Sequence, residues 1–209
     1  MIINDSFPKF DLPIDFIADD SITGDILNYY SNFPCKIKAG VFVLCTEGMV
    51  KATINLLEVV IRKNDFVIVL PNSFIQIHEV SSDTRISFAG FSSDFMLSGN
   101  YVEILLDSMP MILNSPVISL QDDIAGLYRN VYLLLIRAYT LPHSLENKDI
   151  IRSILAIFLQ GTKELYKRYG RKLDEPLRRE QELYRQFIQL LMAHYTSEHE
   201  VAFYAEKCG

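Results

Sequence analysis

Ile37-Lys38-Ala39-Gly40-Val41-Phe42-Val43-Leu44-Cys45 opens the stretch whose reading decides the fold, and the same pattern runs on to Phe91. The pieces that follow are 48–55, 58–65, 66–71, 74–79 and 84–91, each rich in Val, Ile, Phe and Thr and bounded by Gly, Asn, Pro, Ser or Asp. Short runs of β-branched and aromatic residues at this regular spacing read as antiparallel strands joined by turns, as in a barrel or sandwich. Turns are expected at Thr46-Glu47-Gly48, Asn64-Asp65 and Ser81-Ser82-Asp83, residue types that suit tight reversals. Phe66 to Leu70 is apolar at both parities, so this strand is expected to be buried on both faces. In the next strand Phe74, Gln76 and His78 share one parity, while Ile75, Ile77 and Glu79 share the other.

Working outward, residues 1 to about 25 read as an extended arm, with Phe7-Pro8, Leu12-Pro13 and the acidic Asp19-Asp20. Ile26 to Tyr30 reads as a first strand, turned by Asn32-Phe33-Pro34. Beyond residue 97 the pattern becomes helical. A short helix is expected over 100–107, with Val102, Leu105 and Leu106 on one side. Asp122 and Asp123 open a long helix to about Leu141, acidic residues lying where the helix dipole favours them. A second long helix spans about 147–169 and stops at Gly170. Further helices are expected over 177–195 and 198–208, after a short linker at 171–176. The fold class is therefore α+β, a barrel region at 1–97 followed by a helical region at 98–170 and a last unit at 177–209.

Two helices joined by about five residues lie antiparallel. Their apolar stripes exceed what one barrel flank needs, and surplus apolar helix surface reads as a partner surface. Leu127, Val131, Leu134, Ile151, Leu155 and Phe158 are the candidate interface residues of a homodimer.

The chain has 209 residues, 49% hydrophobic and 22% charged, which suits one good core with a helical appendage. Its net charge of −6 gives a phosphate backbone nothing to bind, so specific nucleic-acid binding by these residues is not expected. The segment from Lys163 to Arg185 carries eight Lys or Arg against five Asp or Glu, and reads as a solvated helix face. No apolar run approaches the ~20 residues of a membrane helix, and the N-terminus does not read as a signal peptide. Cys35, Cys45 and Cys208 have no metal spacing and read as free thiols in a reducing compartment, so the cytoplasm is expected.

Little catalytic chemistry is legible. The four histidines are His78, His143, His194 and His199, none paired at two-residue spacing. A divalent metal needs three or four convergent ligands, so no metal or other cofactor is expected. No nucleophile elbow, Cys–His nucleophile or Gly-rich phosphate loop is present. Asp19-Asp20 and Asp122-Asp123 are sequence neighbours and do not face a common substrate as an acid/base pair would. His78 reads as a hydrogen-bonded strand residue. A small barrel can still hold a ligand, and parity names Phe42, Phe74, Gln76, His78 and Phe88 as candidate lining, with core packing as the competing reading for the phenylalanines.

Lys63-Asn64-Asp65-Phe66-Val67-Ile68-Val69-Leu70-Pro71 resembles the second motif of the cupins, with Asn64 where glycine is usual, but the cupin metal ligands are missing. Phe187 to Tyr195, followed by Glu200-Val201-Ala202-Phe203-Tyr204-Ala205-Glu206-Lys207-Cys208-Gly209, resembles the entry to the DNA-binding domain of AraC-type transcription regulators. Arg85 to Phe95, ending in Ser92-Ser93-Asp94-Phe95, resembles their sensor half, and the order of barrel, two long helices, linker and first helix-turn-helix helix matches along nearly the whole chain. The resemblance implies a jelly-roll barrel that senses a small-molecule effector and a helical arm that dimerises. It also implies that DNA is contacted only through helix-turn-helix motifs continuing past Gly209, so that this chain is one piece of a longer regulator. Two other readings stand beside it. One is a metal-free cupin-type isomerase or epimerase, which needs a convergent acid/base pair in the cavity. The other is a dimerisation scaffold with a filled barrel and no ligand.

Overall fold

The computed structural model describes residues 9–10, 12, 14–28, 31, 33–97, 108–109, 111–140, 148–169 and 197–209, with single positions between 179 and 194. The short helix expected over 100–107, the linker at 171–176, most of the helix expected over 177–195, and His143 lie outside the described residues.

The strands are β1 (Lys9–Phe10), β2 (Phe16–Thr23), β3 (Cys35–Ile37), β4 (Gly40–Glu47), β5 (Met49–Ile54), β6 (Leu57–Arg62), β7 (Asp65–Val69), β8 (Ser73–Val80), β9 (Arg85–Phe91) and β10 (Val117–Ser119). The helices are α1 (Gly24–Asn28), α2 (Ser93–Leu97), α3 (Asp122–Thr140), α4 (Lys148–Tyr169) and α5 (Val201–Cys208). One sheet has the order β1-β3-β8-β5-β6 and the other β10-β7-β4-β9-β2. All pairings are antiparallel except the short one between β1 and β3. The strands β2 to β9 thus follow the double Greek-key order of a jelly roll.

Residue chemistry explains the turns. Gly48 closes the β4–β5 hairpin at φ 77°, and a Cβ there would stand 2.6 Å from the Thr84 Cα. Asn55 and Leu56 form the β5–β6 turn at φ 46° and 72°, and Asn64 forms the β6–β7 turn at φ 67°.

The molecule has three layers. Between the sheets lie Cys45, Val50, Ala52, Ile54, Ile61, Val67, Val69 and Ile86. The opposite face of the β7-β4-β9 sheet carries Phe42, Leu44, Phe66, Ile68, Ala89 and Phe91, and these pack against α3 and α4. The central sheet is therefore apolar at both parities, and every residue of β7 is buried, as its sequence requires. Phe158 of α4 sits among Phe42 (5.1 Å between ring centroids), Tyr132 (5.2 Å) and Tyr128 (6.1 Å). The helices and the barrel consequently share one core. Among the described residues no helix is long and apolar enough to cross a membrane.

Three sequence expectations are corrected. Residues 16–23, read as part of an irregular arm, form β2, an edge strand paired with β9. A bulge between Asp19 and Ile22 leaves Asp20 and Ser21 outside the ladder, while Asp19, paired with Phe88, accepts hydrogen bonds from the Ser21 amide and hydroxyl. Ile26 to Asn28, read as a strand, belong to helix α1, with Asp25 in its first turn and Leu27 packed against the inter-sheet core. Third, the run from Ile37 to Cys45 is two strands broken between β3 and β4, with β3 in the outer sheet and β4 in the central one.

Candidate functional site

The five residues expected to line a ligand cavity fall on three different surfaces. Phe42 is 1% exposed and lies in the sheet–helix core, because β4 belongs to the sheet with two buried faces. Phe88 alone packs into the inter-sheet core. Phe74 and His78 are exposed on the outer side of β8, and Gln76, half-buried, shares that side. There the Lys36 ammonium stands 5.7 Å from the Phe74 ring centroid, and His78 Nε2 is hydrogen-bonded to the Thr53 hydroxyl at 2.7 Å. Ile75 and Ile77 take the inward positions, and a register shift opposite Lys51 and Ala52 then brings Val80 inward as well. Parity holds from Phe74 to Ile77 only: the shift turns Glu79, grouped by parity with Ile75 and Ile77, outward to pair with Lys51, and the inward set is aliphatic.

The space between the sheets is filled by aliphatic side chains and Phe88. Its ionisable group is Cys45, whose thiol burial and the nearby Asp65 push up to about 11. A thiol so hard to ionise is a poor nucleophile. A narrow crevice is lined by Ile54, Asn55, Ile68, Leu70, Ile112 and Pro116, among others. Its polar groups already serve each other, since Asn55 Nδ2 donates to the Ser73 hydroxyl at 2.9 Å and Asn55 Oδ1 accepts from the Phe74 amide. Among the described residues no three His, Cys, Asp or Glu side chains gather as a metal site requires.

The six residues expected at a dimer interface divide evenly. Ile151, Leu155 and Phe158 are buried in this chain's own core, at 2%, 0% and 0% exposure, so they cannot meet a partner. Leu127 and Leu134 are 58% and 47% exposed, and Val131 beside them is half-buried. The stripe that α3 buries is instead Ala125, Tyr128, Tyr132, Leu135 and Ala138. Tyrosine is a weak marker of an inward face, so the sequence did not announce this buried stripe. Leu133, Ile150 and Ile157 are exposed too, which leaves both long helices with apolar side chains facing outward.

Sequence reading missed one feature of the helix–sheet junction. Asn64 is 9% exposed, and all its hydrogen-bonding groups are engaged. Its amide donates to the Cys45 carbonyl (2.7 Å) and its carbonyl accepts from the Leu120 amide (3.0 Å). Its Nδ2 donates to Asp122 Oδ1 (2.5 Å), and Arg129 Nη2 donates to its Oδ1 (3.1 Å). Next to it, Asp65 accepts from the Ser119 hydroxyl (2.6 Å) and the Arg62 amide (2.7 Å). The substitution of Asn for the usual glycine was the available signal: a residue that tolerates positive φ and also carries a donor and an acceptor.

At the C-terminal end α5 carries Tyr204, which is buried, donates to the Glu198 carbonyl (2.7 Å) and packs edge-on to Phe187.

No family model matches the chain, and no curated protein matches it. Among solved structures, ToxT from Vibrio cholerae is similar over 92% of this chain and 70% of its own, at 12% identity and a TM-score of 0.40. The AraC-like transcriptional activator CuxR is similar over 83% of this chain and 57% of its own, at 12% identity and 0.43. A putative ethanolamine utilization protein Q from Salmonella typhimurium is similar over 37% and 55%, at 13% identity and 0.26. At such identities and scores the likeness bears on neither family nor function.

Proposed function

We propose that this chain is the dimerising, regulatory part of an AraC-type transcription regulator. The sequence motifs at Arg85–Phe95 and Phe187–Gly209 support the family. The observation that carries the dimerising role is the apolar surface on α3 and α4. One face of each helix is sealed onto the central sheet, yet Leu127, Leu134 and Ile157 stay exposed. Leaving three large aliphatic side chains in water costs about 1.5–3 kcal/mol each relative to burial, which a second copy of the stripe recovers.

One observation favours a second reading for the barrel. The inter-sheet space is occupied by apolar side chains, and the narrow crevice leaves no room for even a water-sized molecule, whereas small-molecule sites begin at roughly 300 Å³. On that reading the chain is a dimerisation scaffold without an effector. Fusing the chain to a DNA-binding domain that occupies its operator only as a dimer tests both. Operator occupancy by the fusion, lost with Leu127→Asp and Leu134→Asp, is expected; occupancy no better than that of the unfused domain overturns the proposal. Occupancy that changes with growth medium favours a sensor, and constant occupancy favours the scaffold.

A further inference from the structure

The apolar seal between α3 and the central sheet is non-directional. Packing of Tyr128 and Tyr132 on Phe66 and Phe158 fixes how far the helix stands from the sheet. It also fixes which face of the helix turns inward, and directional contacts then sharpen rotation about the axis and sliding along it. Among the described residues, several such contacts converge on Asn64. Asn64 holds the first residue of α3 through Asp122, and a point two turns further along through Arg129. Its backbone carbonyl holds Leu120, just before the helix begins. At ~100° per residue, Arg129 lies about 160° around the helix from Leu127, so this grip does not touch the exposed stripe.

The other end of the grip reaches into the barrel. The Asn64 amide is bonded to Cys45, whose side chain lies between the sheets. Asn64 also leads directly into β7, whose Val67 and Val69 face the inter-sheet core. A shift in inter-sheet packing therefore has a short hydrogen-bonded route to the pose of α3.

We propose that Asn64 is a positioning residue that ties the pose of α3, and with it the outward apolar face of that helix, to the β6–β7 turn of the barrel. The inference rests on the reading that this face is the dimer surface, and it adds the residue through which that surface is set. The required element is a helix held in a defined azimuth by hydrogen bonds that one side chain supplies. Glycine at this position keeps the positive φ and both backbone hydrogen bonds, and removes only the side-chain grip.

The test is Asn64→Gly in the full chain, with Arg129→Gln as a second variant that leaves the turn untouched. Amide exchange over residues 122–129 is measured together with the dimer dissociation constant. Loss of the grip is expected to speed exchange in the first two turns of α3 about tenfold and to weaken the dimer by a similar factor, while exchange in β4 and β7 stays within about twofold. Arg129→Gln is expected to move both in the same direction, less strongly. Exchange over 122–129 within twofold of the parent in both variants overturns the inference. So does acceleration spread equally through β4 and β7, which is the mark of a residue that merely stabilises the barrel. A parent chain that is monomeric sinks the dimer reading alone, because the exchange comparison still decides whether Asn64 positions the helix.

Discussion

At the scale of single residues, the chain places special backbone conformations on residues that suit them, with one exception. Gly48, Asn64 and Asn72 all have positive φ, and glycine and asparagine tolerate it. Leu56 does not, yet it sits at φ 72° at the tip of the β5–β6 hairpin with its side chain 60% exposed. A left-handed conformation costs a residue bearing a Cβ about 1–2 kcal/mol. Leu56→Gly converts the turn to Asn-Gly, the pairing this hairpin geometry prefers. It is expected to raise stability by about 1 kcal/mol, read as a higher urea midpoint at unchanged m-value. A lower midpoint would mean that Leu56 makes contacts worth more than the strain. The hairpin at Gly48 was legible because glycine announces it. The one at Asn55 was not, because leucine is the residue least expected there. Asn64 was noticed as a departure from a glycine, but its partners Asp122 and Arg129 lie 58 and 65 positions away, where only the fold reveals them.

At the scale of elements, the strands from Ile37 to Phe91 were legible because β-branched residues and turn formers alternate there. The side each strand presents was not. Parity divides a strand's residues into two sets, but in a sheet covered on both sides it does not say which set faces the other sheet. That is why Phe42 was assigned to a cavity and lies against the helices instead. A helical stripe likewise does not say whether it covers its own sheet or a second chain, and Ile151, Leu155 and Phe158 of α4, expected on a partner surface, cover their own sheet. Phe158 is the centre of this layer, touching rings from β4, β7, β9 and α3. Phe158→Ala is expected to cost about 3–5 kcal/mol, because a well-packed aromatic layer cannot collapse into the space left. A chemical denaturation series checks this. A loss under 1 kcal/mol would show that the helices are not sealed to the sheet. The layer also buries the hydroxyls of Tyr128, Tyr132 and Thr162 without a hydrogen-bond partner among the described residues. The seal therefore depends on ring packing rather than on polar contacts.

At the scale of the whole molecule, the account places a jelly roll beneath a helical layer, and the outward apolar face of that layer beneath a second copy of the chain. The first two layers follow from the pattern of burial. The third is the proposed dimer, which the apolar surface left over once they have formed supports. Sedimentation equilibrium over a wide concentration range, on the parent and on the Leu127→Asp, Leu134→Asp double variant, tests that step directly. The account predicts a reversible monomer–dimer equilibrium for the parent, and for the variant a dimer weakened at least tenfold with its circular dichroism unchanged. A parent that stays monomeric at every concentration, or a variant that dimerises as tightly as the parent, would contradict it.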